Sequence, residues 1–415
     1  MDVLPLPPGP SLKHYRKRAK DLVKAAKSAD AGAVRTWATE WLETLARLRG
    51  VGITPFVQGS IDRAIEAIEK RVREKVSESR HTVAGLALAD AQYLIARAHG
   101  FDNWPGFAKH LERVSQEGSE SQVFESAADA VVSGDIGTLE ALVRRHPGLL
   151  RDRSTRAHRA TLLHYVSANG VEDFRQRTPL NAPVVARLLL DAGAEVDVLA
   201  NTYGGGSDQT TMNLLVSSTH PARAGLQGTL VETLLDFGAA INGLGNDGSP
   251  LLTALAFGYA EAAETLARRG ARVDSVIAAA ALGRVDLVRS FVRDQNTLGP
   301  GQPVMAPLWL RMPPDAQAHI EFAFVGACKF GRTAVVDLLL EKGVDPAAKD
   351  GDAMTGLHWA AAYEHSGVIE LLLQRGAPLE VKNRWGGTVL DSTVYFALHA
   401  PVDGVNYSTR LCENL

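Results

Sequence analysis

From residue 188 onward one phrase recurs, and it constrains the fold more than any other feature of the chain. A leucine run is followed after two residues by glycine, then a small residue, then an aliphatic residue and Asp or Asn. Leu188-Leu189-Leu190 leads to Gly193-Ala194-Glu195-Val196-Asp197, and Leu234-Leu235 leads to Gly238-Ala239-Ala240-Ile241-Asn242. Leu266 leads to Gly270-Ala271, Leu338-Leu339-Leu340 to Gly343-Val344-Asp345, and Leu371-Leu372-Leu373 to Gly376-Ala377-Pro378-Leu379. The phrase reads as a helix end: leucines form a buried stripe, and glycine takes the left-handed conformation that stops the helix. Residues 238 and 270 are 32 apart, and 343 and 376 are 33 apart. A helix pair of that length cannot bury its apolar face alone, so copies must stack.

Each unit should open its first helix with a Thr-Pro-Leu-His type of turn. Thr355-Gly356-Leu357-His358-Trp359-Ala360 and Thr161-Leu162-Leu163-His164-Tyr165-Val166 come close, and Ser249-Pro250-Leu251-Leu252 keeps the Pro-Leu. On these motifs the chain from about residue 122 onward resembles the ankyrin-repeat family. The resemblance implies an all-α fold: a solenoid of about seven to eight helix-turn-helix units. It also implies a structural role for His164 and His358, whose imidazoles would tie neighbouring turns together.

Departures from the period locate insertions. Residues 193 and 238 are 45 apart and 270 and 343 are 73 apart, so insertions are expected at 171–182, 198–210 and 299–315. The last carries five prolines and Trp309, which favours a surface loop because proline cannot continue a helix. The final unit begins at Trp385-Gly386-Gly387-Thr388 and lacks a second leucine helix; end repeats are commonly atypical.

Residues 1–117 do not share the period. Their apolar spacing predicts helices over 11–29, 31–49, 59–77, 89–99 and 104–114. The run Leu88-Ala89-Asp90-Ala91-Gln92-Tyr93-Leu94-Ile95, followed by Gly100-Phe101 and Trp104-Pro105, resembles an N-terminal module that accompanies some bacterial ankyrin proteins. The polar stretch 115–121 is the expected boundary, giving a helical module over 1–117 and a solenoid over 118–415. Charge divides along the same line. Residues 1–117 carry 19 Lys and Arg against 14 Asp and Glu (+5), and the remainder carries 25 against 33 (−8), giving −3 overall. Lys13, Lys17, Lys20, Lys24 and Lys27 fall on one helix face, read here as a solvated surface.

Composition narrows the function classes. A hydrophobic fraction of 46% supports a folded chain. No stretch is long and apolar enough to span a membrane, so no membrane role is expected. Two cysteines suit a reducing cytoplasm. Twelve histidines show no His-x-x-x-His spacing, and neither cysteine has a nearby partner, so neither a metal nor another cofactor is expected. The Gly204-Gly205-Gly206 run lacks the Lys-Ser/Thr of a phosphate loop. Ala91-Gln92 through Gly100-Phe101 can be aligned with a helix-turn-helix, but Asn103, Trp104, Phe107, Lys109 and His110 supply one lysine, which argues against nucleic acid as a partner.

One polar constellation stands out. His164, Tyr165, Asn169, Glu172, Arg175 and Arg177 come from the second unit, and Tyr203, Asp208, Thr211, His220 and Gln227 from the next. Stacking could bring them to a groove between repeats two and three that holds an anionic small molecule, or proton transfer through Glu172 or His220. The competing reading is that they hydrogen-bond two irregular loops to the stack, and it is preferred. The leading expectation is therefore a non-enzymatic scaffold that binds a protein partner through its concave face. Loop tips at 198–210, 244–249 and 347–355 and anchors Trp309 and Trp359 would contribute, with no catalytic residues.

Overall fold

The computed structural model describes residues 4, 6, 10–48, 55–78, 86–203, 206–293, 297–298 and 315–399. The chain divides into two compact units, Met1–Thr211 and Met212–Leu415.

The first unit opens with α1 (Leu12–Ala26), α2 (Ala33–Leu48), α3 (Pro55–Glu78), α4 (Leu88–Ala98) and α5 (Trp104–Val114), close to the five helices that the apolar spacing predicts. Their core is aromatic: Tyr15, Trp41, Phe101 and Phe107 are buried, and Tyr15 meets His99 and Phe107 edge to face, each at 5.1 Å. Two repeat pairs follow without a break in packing. They are α6 (Glu120–Ser133) with α7 (Ile136–Arg145), and α8 (Leu162–Tyr165) with α9 (Ala182–Asp191). The unit thus extends past the boundary expected at 117, and α5 packs on α6. The junction is polar: His110 Nδ1 lies 2.7 Å from Thr155 Oγ1, and Tyr203 Oη donates to the Gly100 carbonyl (3.0 Å). The helix-turn-helix alignment fails on side-chain usage. Asn103 caps α5 by accepting from the Gly106 amide, while Phe107 and His110 are buried in the core, so these three do not face a duplex.

The second unit continues the pairing. Thr211–Leu215 (α10) and Thr219–Arg223 (α11) precede α12 (Gln227–Asp236); then come α13 (Ser249–Phe257) with α14 (Ala260–Arg268), and α15 (Val276–Ala281) with α16 (Val285–Phe291). Ala316–Lys329 (α17) pairs with α18 (Thr333–Glu341), α19 (Gly356–Ala362) with α20 (Ser366–Gln374), and α21 (Val389–His399) stands last among the described helices. Part of the 73-residue gap after Gly270 is therefore a complete helix pair, α15 with α16. It escapes the motif because α16 ends not in glycine but in the short strand β1 (Val292–Arg293), antiparallel to β2 (Thr297–Leu298). Most of the 299–315 insertion, with Trp309, lies outside the described residues.

The five phrase glycines do what the motif requires. Gly193, Gly238, Gly270, Gly343 and Gly376 have φ between 78° and 100°. Each repeats one pair of bonds: Gly343 N–H donates to Leu340 O and Val344 N–H to Leu339 O, as Gly238 does to Leu235 and Ala239 to Leu234. The leucines behind them point inward, with Leu189, Leu234, Leu266, Leu339 and Leu372 at 1% exposure or less. At about 25 cal/mol per Å² of apolar area, each such side chain contributes roughly 2 kcal/mol.

Candidate functional site

Three members of the predicted constellation, Tyr165, Glu172 and Arg175, converge in the first unit and are turned inward on one another. Helix α8 places Tyr165, and the turn after it, with a short 3-10 helix at Asp173–Arg175, places Glu172 and Arg175. Glu172 is 0% exposed. Three neighbours from outside the predicted constellation complete the cluster. Arg156 and His158 come from the loop before α8, and Glu125 from α6. Arg156 Nε meets Glu172 Oε1, and its Nη2 lies 3.0 Å from Glu125 Oε2. Arg175 Nη1 bridges both carboxylates, at 2.9 Å to Glu125 and 3.2 Å to Glu172, and its Nε holds Asp129 at 2.8 Å. His158 Nε2 lies 3.4 Å from the second oxygen of Glu172. Arg156 Nη1 donates to the His99 carbonyl (3.2 Å), carrying the network into the N-terminal helices.

Two arginines alternate with two carboxylates, so the buried charges cancel. Burial alone would raise the Glu125 carboxyl, but Arg156 and Arg175 outweigh it and hold it at about 2. Glu172 is held well below its ordinary value in the same way: burial opposes, and Arg156 and His158 prevail. A general base or acid working near neutrality needs a pKa close to the working pH, and Glu172 is driven the other way. Burial raises the Tyr165 and Tyr203 hydroxyls, so both stay protonated.

The remaining candidates separate from this cluster. Tyr203 packs edge-on to His158, with ring centroids 5.0 Å apart. Asn169 is half-buried, while Arg177 and Asp208 are exposed, the latter with φ 57°. His220 belongs to the second unit, on α11, where burial and Arg223 lower its pKa. Arg175 and Arg177 do border an open groove of about 420 Å³, but its other walls are Asp129, Ser133, Thr138 and Phe174. It therefore lies along the first two repeats, within the first unit. The proposed anchor Trp359 is 4% exposed, its Nε1 donates to Asp350 (2.7 Å), and Lys329 Nζ sits 4.6 Å from its ring centroid; it is a core residue.

His164 has the tying role that the family resemblance implies. Its Nδ1 accepts from the Thr161 amide (3.2 Å) and its Nε2 donates to Val198 O (3.0 Å) in the next turn. Burial lowers its pKa to about 4, so it stays neutral in this role. His358 repeats the first half of the arrangement with Thr355 (3.2 Å). Among the described residues, no group of three or more His, Cys, Asp or Glu could hold a metal ion, and no helix is long and apolar enough to cross a membrane.

Sequence reasoning missed the contacts between tips. Arg384 N–H donates to Asp352 O (3.0 Å), and its guanidinium pairs with the Asp352 carboxylate (2.9 Å). Arg272 donates to Asn246 O (2.6 Å), and Arg153 to Leu199 O (2.7 Å). Trp385, 43% exposed, stands beside Arg384 at the position that Asp352 holds one 33-residue period earlier, a register that could have identified it.

Residues 326–373 match the family described as "Ankyrin repeats (many copies)". Ankyrin repeat-containing protein P1E11.10 of Schizosaccharomyces pombe is 34% identical over 64 residues, 15% of this chain and 31% of that protein. Serine/threonine-protein kinase 12 of Arabidopsis thaliana is 38% identical over 58 residues, covering 14% of this chain and 13% of the kinase. The matches thus span less than a third of each relative. Among solved structures, the ankyrin repeat domain of Bcl-3 aligns over 66% of this chain and 97% of its own, with 20% identity and a TM-score of 0.30. The human ASB11 ankyrin repeat domain aligns over 69% and 96%, with 21% identity and a TM-score of 0.31. Ankyrin repeats are in general modules of protein–protein interaction. The match over 326–373, with the paired helices and the five glycine-stopped ends, identifies ankyrin repeats within this chain.

Proposed function

We propose that the chain is a non-enzymatic scaffold that binds a protein partner through its concave face and the tips at 198–210, 244–249 and 347–355, with Trp385 extending the last tip. The observation that carries this reading is the bonding of tip to neighbouring tip. Arg384 to Asp352 and Arg272 to Asn246 hold exposed segments in one conformation before any partner arrives. A preordered surface loses less conformational entropy on association, which favours affinity. Leu244, 56% exposed, and Trp385 supply apolar contacts on that ordered edge. A reducing cytoplasm suits the buried, unpaired Cys328. The ligand-binding alternative is not favoured, because the Glu172 carboxylate is buried against Arg156 and Arg175, and Arg175 is also engaged with Glu125 and Asp129.

The test is quantitative copurification from the source cells, comparing the native chain, a Leu244→Asp/Trp385→Ala variant and a Leu287→Ala control on α16. The expected result is a protein retained by the native chain and the control and lost by the tip variant. Equal recovery with all three would defeat the proposal.

A further inference from the structure

The outer face of α1 serves neither the N-terminal core nor the repeats. Tyr15, Ala19 and Leu22 turn inward, while Lys13, Arg16, Lys17, Lys20, Lys24 and Lys27 are all exposed. At 100° per residue these six cations fall within an arc of about 100°, and at 1.5 Å per residue the row is about 21 Å long. Among the described residues none of the six has an ion-pair partner, and Asp21, half-buried, lies at the edge of the arc. Four arginines of the repeats are, by contrast, paired with carboxylates. Arg268 pairs with Glu232 (2.5 Å), Arg269 with Asp236 (2.9 Å), Arg332 with Glu264 (2.6 Å) and Arg375 with Asp337 (2.5 Å).

We propose that this face of α1 is a binding site for the phosphodiester backbone of nucleic acid, contacted without regard to base sequence. The row is narrow and long, so it matches a linear polyanion with regularly spaced charges better than a two-dimensional array of lipid headgroups. The apolar side of α1 is buried in the module, which leaves no side chain to enter a bilayer as an interfacial helix requires. Five of the six cations are lysines, compact point charges suited to phosphate rather than to bidentate reading of base edges. Nearby, Asn103 caps α5, and Phe107 and His110 are buried in the core, so these three are not available to base edges. The site is independent of the tips proposed for the protein partner.

Release of counterions from about five phosphates gives a slope of log affinity against log salt of about −4 to −5 on duplex DNA, a loss of several hundred-fold between roughly 50 and 200 mM salt. The full chain would be titrated with a labelled mixed-sequence duplex and with its single strand. A Lys17→Glu/Lys20→Glu/Lys24→Glu variant would be compared with Lys70→Glu on the exposed side of α3, and circular dichroism would confirm folding. The expected result is equal affinity for unrelated sequences, the stated slope, loss of at least ~100-fold in the triple variant, and no change with Lys70→Glu. A salt-independent affinity, or a triple variant that binds as the native chain does, would overturn the proposal. So would retention on phosphatidylserine vesicles or polyglutamate with no nucleic-acid binding at low salt, which would reassign the row to lipid or to an acidic protein.

Discussion

Replacing Glu172 with Gln tests the buried network directly. The substitution keeps the shape of the side chain and removes one charge. In the native cluster, Arg156 (1% exposed) and Arg175 (4% exposed) are balanced by Glu172 and Glu125, with Asp129 reaching in from the rim. After substitution two buried guanidinium groups share Glu125, and the excess charge has no water to solvate it. Breaking a buried pair in this way costs about 3–5 kcal/mol. In a unit of this size the midpoint temperature should fall by roughly 6–20 °C, at about 2–4 °C per kcal/mol. The exposed Arg268–Glu232 pair supplies the contrast, since Glu232→Gln should cost about 1 kcal/mol or less. A third variant separates charge imbalance from loss of packing. Arg156→Met combined with Glu172→Met removes both charges and should be less destabilised than the two single changes added together. The assay is urea unfolding, with hydrogen exchange at the amides of α6 to α9 assigning the loss to the first unit. A cost for Glu172→Gln no larger than that for Glu232→Gln would refute the reasoning.

Burial holds three histidines of the first unit neutral, His99 at about 3 and His110 and His164 at about 4. Their folded values lie below the unfolded value near 6.5, so the folded state binds fewer protons, and stability is complete above that value and lost as pH falls towards 4. Each contributes about 1.4 kcal/mol per pH unit in that window, and a urea midpoint equal at pH 7 and pH 5 would contradict the account. A Cβ at Gly356 would lie 2.6 Å from Cys328 Sγ, so Gly356→Ala should cost about 1–3 kcal/mol and be relieved by Cys328→Ala. Gly343→Ala meets nothing within 4 Å and is strained only by its φ of 92°, so Cys328→Ala should not rescue it; rescue of both or of neither in thermal melts would count against the distinction. Lys329, lowered to about 8 chiefly by burial, should show that midpoint after isotopic methylation, and a titration near 10.5 would show the ammonium to be solvated.

Helices were legible in the sequence, and the side-chain environments were not. The spacing of Tyr15, Ala19 and Leu22 fixes the inward face of α1, and the leucines before Gly238 and Gly343 fix the ends of α12 and α18. One complete pair, α15 with α16, was hidden because its exit is the extended Val292 rather than a glycine. The polar constellation was half legible. Tyr165, Glu172 and Arg175 do converge, yet Glu125 and Arg156 lie 47 and 16 residues from Glu172, outside any local period that could have linked them.

The sequence by itself determined that the chain folds into stacked helix pairs, because a leucine stripe and a glycine stop are local devices that act through backbone conformation and apolar periodicity. Only the tertiary structure decided what the polar residues do. Whether a carboxylate faces water or two guanidinium groups depends on which distant elements close over it, and no local pattern encodes that. Glu172 was a candidate acid in the chain and became a buried counterion in the fold. Trp359 was a candidate contact and became core. The lysine row of α1 kept in three dimensions the open face that its spacing announced.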